Sequence, residues 1–573
     1  MKRSIWTAAL LAALILPRLA DAQVEKLVEV TKEYAPVVQQ ATKLPMVPDM
    51  TDTTRMRPEI SYTVTPLSLH TALGIQPIRP ATVTYWDFNR PLPVYLKAGA
   101  GYPLNSVADL YLATQHPDTG YALAYINHEG RYAKIRNPFA VKNNSTQMLN
   151  RIGGAAGKYI GRHTLEGSLS YENRLYHRYG AWADPSADGL LPAAPGARID
   201  YGDAGLNIRI GDDFADLSRL NFDVTLGGGL FWDQSVWSSA DDRARQTSLH
   251  AAGKIARAFG RHRIAVEAGF EHLAGRRLID GFREQRLRAG ARYGIEGGVV
   301  DFEVGADFWH DRIAGSDNGN YLLPFAHLGL NLGTKAIRPF LEIDGQLHDN
   351  SYRSLTRECP YLATGQLADR SSVDYNGRLG ITGDLWRERF TYRLYAACSI
   401  RDHHNYWYVS GYATPDGDAL LAAMGAMQLT QGRQTVTSIH GEAEFRPLSE
   451  LLFELGLHGY LYNDDRDLAH GEPGFRAHFG ARYTIKRITL GLSFTGESKR
   501  SWTLFYTDRK GTVEQGVFKA AAAMNLHFSF DWRVSGRFGV FAEGDNLLNQ
   551  RIYRFPGYPE YGASCTAGIK LAF

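Results

Sequence analysis

The sequence predicts an all-β fold, namely a transmembrane antiparallel β-barrel of about 22 strands that follows a Pro-rich N-terminal segment. Three observations predict this fold class. The end of the chain alternates strictly between apolar and other side chains, and similar alternating segments recur from about residue 92 onward. In addition, aromatic residues make up 12% of a chain whose mean hydropathy is only −0.29.

The final strand shows the alternation most clearly. In a strand, every second side chain points to the same face of the sheet. An apolar face that ends in an aromatic residue is typical of a lipid-facing strand with an interfacial anchor. The apolar face here consists of Cys565, Ala567, Ile569, Leu571 and Phe573, and the opposite face consists of Thr566, Gly568, Lys570 and Ala572.

The composition excludes a bundle of membrane helices. Beyond the N-terminal region no stretch approaches the ~18 consecutive apolar residues of a membrane helix, yet the chain has 31 Tyr and 58 Gly. A barrel accounts for both facts, because alternate residues face a wet lumen while Tyr and Trp collect at the membrane interfaces. The net charge of +3 gives no indication of nucleic-acid binding.

Residues 1–22 have the pattern of a secretory signal peptide. Lys2 and Arg3 precede an apolar run at 5–16, and small residues at 20–22 precede a cleavage position before Gln23. The run is too short for a membrane helix. Together with the barrel pattern, it predicts a location in the outer membrane of a Gram-negative bacterium.

Residues 23–91 differ from the rest of the chain because prolines interrupt them. Proline lacks an N–H donor and fixes φ, so long strands and helices are excluded there. We expect an extended segment, too small for a well-packed domain, that lies in the periplasm or inside the lumen. The prolines are Pro36, Pro45, Pro48, Pro58, Pro66, Pro77, Pro80 and Pro91.

The barrel itself is predicted to span residues 92–573. If the first strand runs outward, every even-to-odd connection should be short, as at Gly161, Gly260, Glu296, Leu448 and Lys486, and the other connections should be longer, especially near 176–197, 350–370 and 403–433. A soluble β-sandwich also alternates, but an uninterrupted meander of this length after a signal peptide favours the barrel. The predicted strand starts are near residues 92, 104, 119, 145, 163, 198, 217, 244, 262, 282, 299, 320, 337, 371, 390, 434, 451, 474, 488, 514, 537 and 561.

Charged residues at every second position of several strands must face a wet interior, because hydrocarbon would not tolerate them. These residues are candidates for setting the selectivity of a lumen. For any single one of them, a solvated lumen charge that binds no specific ligand is the favoured interpretation. The candidates are Lys97, Glu267, Glu271, Glu303, Asp307, Glu342, Asp344, Glu454 and His458.

The stretch 542–573 resembles the last hairpin of TonB-dependent receptors, in which an N-L-[FL]-[DN] motif precedes a P-G-[YF]-P-like loop and a terminal Phe. The resemblance implies a 22-strand barrel. It also implies a folded plug of well over a hundred residues, for which this chain has too little sequence before the barrel. The segment 27–31 resembles a TonB box, and 44–93 resembles a segment of plug-poor, receptor-like barrels. The matching positions are Asn546, Leu547, Leu548, Asn549, Pro556, Gly557, Pro559 and Phe573.

A barrel of this size has a lumen too wide for its own side chains to fill. One hypothesis is therefore passage of a solute, either TonB-linked or through a porin-like pore. The alternative is a non-transporting scaffold that docks a lipoprotein or surface partner through long loops, for which Tyr406, Trp407, Tyr408 and the apolar stretch 420–427 are candidates if they are exposed. The expected partners are outer-membrane lipid, the barrel-assembly machinery, and TonB or a lipoprotein.

No enzyme motif stands out, and we predict no catalytic residue, no cofactor and no metal site. The clusters at 127–129 (Asn-His-Glu) and at His403 and His404 are the nearest to catalytic chemistry, but neither has a motif around it. The acidic run at 464–467 lacks the ligand spacing of a calcium loop. Of the three cysteines, Cys398 and Cys565 should face lipid, and Cys359 lies apart from both.

Overall fold

The computed structural model describes residues 92–573 except for 115–118, 137–141, 181–195, 236–242, 414–419, 422–425, 466–467 and 508–511. The predicted signal peptide, the Pro-rich segment and the stretch 27–31 that resembles a TonB box lie outside the described residues. Residues 422–425, half of the apolar stretch 420–427, do so as well. The predicted domain boundaries at residues 22 and 91 therefore stay predictions.

Within the described residues, 22 antiparallel strands form one closed ring, as predicted. Strands are numbered in chain order. The first half of the ring consists of β1 (Val94–Tyr102), β2 (Asn105–Ala113), β3 (Gly120–Arg131), β6 (Gln147–Ile160), β7 (His163–His177), β8 (Arg198–Gly211), β9 (Asn221–Asp233), β10 (Ala244–Phe259), β11 (His262–Arg277), β12 (Arg283–Ile295) and β13 (Val300–Ile313).

The second half consists of β14 (Gly319–Leu330), β15 (Arg338–His348), β16 (Ser372–Leu385), β17 (Phe390–Ala413), β19 (Met427–Leu448), β20 (Leu451–Asp464), β21 (Phe475–Ile485), β22 (Ile488–Glu497), β25 (Ala523–Trp532), β26 (Phe538–Asp545) and β29 (Ser564–Ala572). The connections contain the shorter elements β4 (Lys134–Arg136), β5 (Lys142–Asn144), α1 (Tyr352–Glu358), β18 (Leu420–Leu421), β23 (Arg500–Thr507), β24 (Val513–Ala520), β27 (Tyr553–Phe555) and β28 (Tyr558–Pro559).

The ring closes where the last strand pairs with the first. Strand β29 pairs with β26 on one side and with β1 on the other. Phe573, which follows the last residue of β29, and Val94, the first residue of β1, form two backbone hydrogen bonds with each other, each with a nitrogen–oxygen distance of 3.0 Å. Closure removes the exposed sheet edges that would otherwise be left in a membrane.

The outer face of the ring is apolar, as the alternation predicts. Large hydrophobic side chains at alternate positions are exposed, for example Ile439 at 68% and Leu461 at 74%. Cys398 and Cys565 are also exposed, on the face predicted for lipid. The charged residues at the intervening positions lie on the inner face, where they contact residues of neighbouring strands.

The connections are asymmetric in the predicted way. Tight turns at Gly161, Gly260 and Lys486 join strands at one end of the barrel, and the predicted long connections 178–197 and 349–371 lie at the other end. The connection predicted over 403–433 is shorter, because β17 extends to Ala413 and β19 starts at Met427, and the connection 498–522 is long although it was not predicted to be. We call the end with the long connections the mouth. At the turns, the positive φ values of Gly161 (63°) and Gly260 (61°) suit residues that lack a Cβ.

Two predicted strand starts are wrong. Strand β19 begins at Met427 and not near 434, because it continues past the ring and pairs with an equally extended β17. The strand predicted near 514 is β24, which forms a hairpin with β23 above the ring, and the ring strand that follows is β25. The hairpin is tied to the ring because β23 pairs in parallel with the extended end of β17.

The prediction also contained no helix, whereas the connection between β15 and β16 contains the short helix α1. No helix in the described part of the chain is long and apolar enough to cross a membrane.

Candidate functional site

The connection between β15 and β16, residues 349–371, forms an ordered segment that we call the mouth loop. It contains α1, which begins after Ser351. The Ser351 hydroxyl accepts a hydrogen bond from the Ser354 amide at 3.4 Å, and the Cys359 amide closes the helix on the Leu355 carbonyl at 2.8 Å. A serine N-cap of this kind supplies a hydrogen-bond acceptor for one of the backbone N–H groups that have no partner within the first turn of a helix.

The mouth loop lies across the inside of the ring, because it contacts strands on nearly opposite sides. On one side, the Tyr201 hydroxyl of β8 donates to the Pro360 carbonyl at 3.0 Å. On the other, the Trp407 indole of β17 donates to Glu358 at 2.7 Å. Contacts with Arg286 and Asp203 on the inner wall place the segment inside the opening of the ring.

An aromatic cluster fixes the middle of the mouth loop. The Tyr361 ring stacks on Tyr558 of β28 with a centroid distance of 3.5 Å, and Tyr179 meets both rings edge-on. The Tyr179 hydroxyl donates to the Pro559 carbonyl at 2.9 Å. Burial in this cluster raises the pKa of Tyr361 well above its usual value. The mouth loop and the connection 546–563 are thus packed together at the mouth.

A fully buried arginine satisfies the backbone of the mouth loop where it meets this cluster. Arg178 donates to the Tyr361 carbonyl at 3.1 Å and to the Leu362 carbonyl at 3.0 Å. Leu362 also forms a bridge with Met427 at the start of β19. Buried carbonyl groups need such partners, since leaving one unpaired is costly.

Both ends of the mouth loop are tied to β12. Asp349 at the start lies 2.9 Å from Arg286, and the Ser371 hydroxyl at the end donates to Glu284 at 2.9 Å. Glu284 and Arg286 are themselves 2.6 Å apart and almost fully buried. Burial alone would raise the pKa of Asp349, but Arg286 and the hydrogen bonds from Ser351 hold that pKa below its usual value.

Helix α1 adds a second set of charged contacts. Arg353 and Arg357 both lie 2.7 Å from the Asp203 carboxylate of β8, and Arg357 also lies 2.9 Å from Glu172 of β7. The buried Arg174 of β7 donates to the Thr356 carbonyl at 3.0 Å. Charged groups therefore hold the short helix against the part of the inner wall formed by β7 and β8.

A cavity of about 90 Å³ lies between the mouth loop, the connection 546–563 and the strands β3, β6 and β7. Its lining combines tyrosines with charged side chains, among them Arg131, Asp545 and Tyr561. Arg131 lies 3.9 Å from Asp545 and 5.7 Å from the centre of the Tyr561 ring. The cavity is smaller than the ~300–1,000 Å³ of typical pockets for drug-sized ligands.

The structure places most of the predicted acidic lumen residues beside basic side chains that lie one or two ring strands away. The predicted set is acidic as a set, but six of its seven acids lie beside an Arg or Lys on the inner face, and some of these bases are shared, as Arg286 is with Glu284 and Asp349. The pairs are Glu267–Lys254 (3.0 Å), Glu271–Arg286 (3.0 Å), Glu303–Arg263 (2.7 Å), Asp307–Arg288 (3.0 Å), Glu342–Arg393 (2.9 Å) and Asp344–Arg378.

The remaining three candidates have other surroundings. Lys97 is 5% exposed, lies 3.0 Å from Glu543 and stands over the Phe541 ring at 4.3 Å. His458 is 2.8 Å from His440 of the neighbouring strand. Glu454 lies opposite Glu444 in the register of β19 and β20. These nine residues spread along the wall and do not converge on one site.

The closing-hairpin residues have architectural contacts. The buried Asn546 side chain donates to the Gln550 carbonyl at 2.8 Å and to the Tyr561 carbonyl at 2.9 Å. Asn549 accepts from the Ala563 amide at 3.0 Å. Leu547 and Leu548 are exposed. The motif thus shapes the connection that carries Pro556, Gly557 and Pro559 to the aromatic cluster.

Two of the three aromatic residues considered as a partner surface are buried, and Tyr408 is partly buried. Tyr406 and Trp407 are buried, and Tyr406 donates to Asp464 at 2.7 Å. This contact also gives Asp464, part of the acidic run, a structural role. His403 lies within a β-bulge of β17 and His404 directly follows it, so the two histidines belong to an irregular part of the strand. No group of three or more metal-ligating side chains occurs among the described residues.

Sequence reasoning missed the mouth loop as a site. The available signal was the Ser351 cap followed by Tyr352 and Leu355, which are both fully buried. The cluster at 127–129 does not form a site as a unit, because alternation sends Asn127 and His128 to opposite faces. Asn127 bonds Asp109 on the inner face, whereas His128 bonds Ser106 and Asn150.

The described residues therefore define a 22-strand membrane-type β-barrel with an internal loop across its mouth. No protein-family model matches the chain, and no curated protein matches its sequence. The fold is similar to that of solved outer-membrane receptors, with low sequence identity. The iron transporter FrpB of Neisseria meningitidis aligns with a TM-score of 0.65 and 11% identity over 85% of this chain and 82% of that one.

Two further structures show the same likeness. The ferric enterobactin receptor PfeA of Pseudomonas aeruginosa aligns with a TM-score of 0.62 and 11% identity over 84% of this chain and 81% of that one. The siderophore receptor PirA of Acinetobacter baumannii aligns with a TM-score of 0.61 and 11% identity over 84% and 80%. The resemblance to TonB-dependent receptors is thus confirmed for the barrel fold.

Proposed function

We propose that this barrel mediates passage of a water-soluble solute across the outer membrane and that the mouth loop is its gate. The observation that carries the proposal is the mouth loop itself, an ordered segment that lies across the ring and is held by charged contacts. A 22-strand ring encloses more space than its inward side chains fill. A gate therefore has a lumen to control.

The inner wall supports a polar solute. Acidic and basic side chains alternate around the ring as cross-strand pairs, such as Glu342 with Arg393. Paired charges present a wet surface of mixed sign without strongly attracting either anions or cations. The similar structures include proteins named as an iron transporter and as siderophore receptors, and this similarity supports transport as the function.

The cavity at the mouth is our proposed first contact for the solute. Its aromatic and charged lining offers both stacking and hydrogen-bonding partners. Because the cavity is only about 90 Å³, a larger solute enters only if the mouth loop moves. Binding and opening are then coupled, since the Tyr361 ring forms part of the cavity wall and part of the gate.

We also propose TonB as a partner, on the resemblance of residues 27–31 to a TonB box. Energised opening would then act through the N-terminal segment. The test is binding of a purified TonB C-terminal domain to the mature protein, compared with a version that lacks residues 24–31. Equal binding by the two proteins would reject this partner.

Single-channel conductance in a planar bilayer tests the proposed passage. We would compare the mature protein with a variant in which a short Gly/Ser linker replaces residues 350–370, each with and without residues 24–91. Replacement of the mouth loop should raise the conductance in at least the shorter background. Migration on gels before and after boiling verifies that each variant is folded.

The four proteins separate the contributions of the two segments. If conductance appears only when residues 24–91 and the mouth loop are both removed, residues 24–91 form a second barrier to passage. Conductance after removal of 24–91 alone would show that the mouth loop is not the gate. If all four folded proteins stay silent, the proposed passage is wrong.

A further inference from the structure

A polar cluster lies on the outer face of the barrel, close to the mouth. It consists of Ser106 on β2, His128 on β3 and Asn150 on β6, three adjacent strands of the ring. Ile126 and Ile152 lie two positions from His128 and Asn150 on the same face, and they are 47% and 48% exposed. The cluster therefore borders the apolar surface that faces lipid.

The three side chains have the spacing of a nucleophile, a base and a residue that orients the base. The Ser106 hydroxyl oxygen lies 2.8 Å from Nε2 of His128, and Nδ1 of His128 lies 2.7 Å from Oδ1 of Asn150. Hydrogen-bond reach between nucleophile and base, with the base held by a third group, is the pattern of nucleophilic acyl transfer.

A chain of donors sets the direction of these hydrogen bonds. Asn150 donates through Nδ2 to Asn173 at 3.4 Å, and Asn173 donates to the carboxylate of Asp200 at 2.7 Å. Oδ1 of Asn150 consequently faces His128 and accepts its Nδ1 proton. The Nε2 atom is then left as the acceptor for the Ser106 proton, as a general base requires.

Tyr132 completes the cluster. Its hydroxyl lies 3.1 Å from the Ser106 hydroxyl and 3.2 Å from Nε2 of His128. The ring fits beside them because residue 130 is glycine: a Cβ there would come within 2.3 Å of the Tyr132 hydroxyl and 3.0 Å of the Ser106 hydroxyl. A tyrosine hydroxyl beside Ser106 can donate to the carbonyl oxygen of an ester that Ser106 attacks, on which negative charge develops.

Polar residues are expected at the rim of any membrane barrel, so a comparison within the same chain is useful. His310 on β13 also lies on the outer face, and its Nδ1 is 2.8 Å from Oδ1 of Asn320. Its contacts in the described part of the chain include no serine. The His128 cluster differs from this pair by its nucleophile, its tyrosine and the donor chain that ends at Asp200.

We infer that Ser106, His128 and Asn150 form an acyl-hydrolase site for ester lipids in the adjoining membrane leaflet. The lipid class follows from location, because the serine opens toward the apolar outer face and not toward the lumen. Asn150 acts as a positioning residue for His128. The activity is independent of passage through the barrel.

The reaction consumes one water molecule for each ester. The Ser106 oxygen attacks the ester carbonyl carbon while its proton passes to Nε2 of His128. The bond between that carbon and the alcohol oxygen then breaks, and His128 returns the proton to the leaving alcohol. Water attacks the resulting acyl-serine in the same way, which releases the carboxylic acid and restores Ser106.

A fluorophosphonate probe tests the nucleophile directly in the folded mature protein. We expect one covalent adduct, located at Ser106 by peptide mass spectrometry, and no adduct in the variant Ser106→Ala. His128→Ala should slow the labelling, whereas the matched control His310→Ala should leave it unchanged. Absence of labelling at Ser106, or equal labelling of the His128 variant, would overturn the proposed site.

Release of fatty acid from phosphatidylethanolamine vesicles that contain the protein tests the activity. Loss of the base is expected to lower the rate by about 10²–10⁴-fold, and Asn150→Leu should lower it while shifting the pH profile through the changed environment of His128. Gel migration confirms that the variants are folded. Equal rates for the mature protein and Ser106→Ala would refute the inference, whatever the outcome for conductance.

Discussion

The variant Asp349→Asn should loosen the mouth loop without disturbing the barrel wall. Arg286 contacts three carboxylates, of Glu271, Glu284 and Asp349. The first two belong to ring strands and stay beside Arg286 when the mouth loop moves. Of these three contacts, only the one with Asp349 is lost on opening, so it is the only contact of Arg286 that contributes to the free energy of closure.

The size of the effect follows from the exposure of that contact. A hydrogen bond to a charged group contributes ~1.5–3 kcal/mol, and 35% of the Asp349 side chain remains accessible, which places the contact at the lower end. About 1.5 kcal/mol corresponds to roughly a tenfold increase in the open population. An asparagine keeps the shape and a weaker hydrogen bond, so we expect no larger change.

Hydrogen–deuterium exchange of the amides in α1 measures this population, since protected amides exchange through local opening. The expected result is an exchange rate about tenfold faster in Asp349→Asn. Asp317→Asn is the matched control: Asp317 lies 3.3 Å from Arg370 of the mouth loop, but its side chain is 94% exposed, so the rate should change little. Equal rates in Asp349→Asn and the unaltered protein would refute the assigned role of the contact.

Three further predictions concern the same end of the barrel. Burial raises the pKa of Tyr561 to about 12. An unfolded tyrosine ionises near pH 10. The contribution of Tyr561 to the free energy of unfolding is therefore complete below pH 10 and is lost as the pH rises to about 12, and Tyr561→Phe should reduce this loss of stability at high pH. Gly557→Ala should lower the midpoint temperature of the gel shift, because φ at this position is 82° and an L-residue with this φ is strained by ~1–2 kcal/mol. The control Gly167→Ala should leave the midpoint unchanged, because the space around Gly167 is open. A polar maleimide should react with the fully buried Cys359 only after the mouth loop opens, so the reaction should be faster in Asp349→Asn. Equal reaction rates in the variant and the unaltered protein would show that opening of the mouth loop does not control access to Cys359.

The ring could be predicted from the sequence because a membrane imposes one rule on every strand. Lipid selects apolar residues at alternate positions, as at Leu455, Leu457 and Leu461 of β20, and that period is visible without any knowledge of neighbours. The rule does not mark where a strand leaves the membrane. The extended end of β19 at Met427 and the hairpin strand β24 are strands as well, so their bounds were misassigned.

The contacts of the lumen residues could not be predicted, although the residues themselves were found. Glu342 was selected for its alternation, but its partner Arg393 lies two ring strands further along, on β17, and the two meet 2.9 Å apart across β16. Register and side-chain length decide such pairs. A prediction that considers only the cleanest strands therefore finds the acids and overlooks the arginines that neutralise them.

The mouth loop was invisible for a different reason. Its stability comes from groups remote in sequence, such as Arg178, which is 0% exposed and holds the carbonyls of Tyr361 and Leu362. Within 349–371, a short helix cap and a few aromatic residues look like an ordinary surface connection. Long-range contacts of this kind leave no local period in the sequence.

Strand β3 shows why proximity in sequence is a poor guide to sites in a barrel. Glu129 and Arg131 line the cavity at the mouth, while His128 between Asn127 and Glu129 faces outward beside Ser106. One strand thus contributes to two different environments, and its period of two keeps them apart. Substitution of His128 should consequently change the rate of ester hydrolysis and leave hydrogen–deuterium exchange in the mouth loop unchanged. Substitution of Arg131 should change the exchange in the mouth loop and leave the rate of ester hydrolysis unchanged. The two proposed activities can be tested separately because the sheet itself divides them.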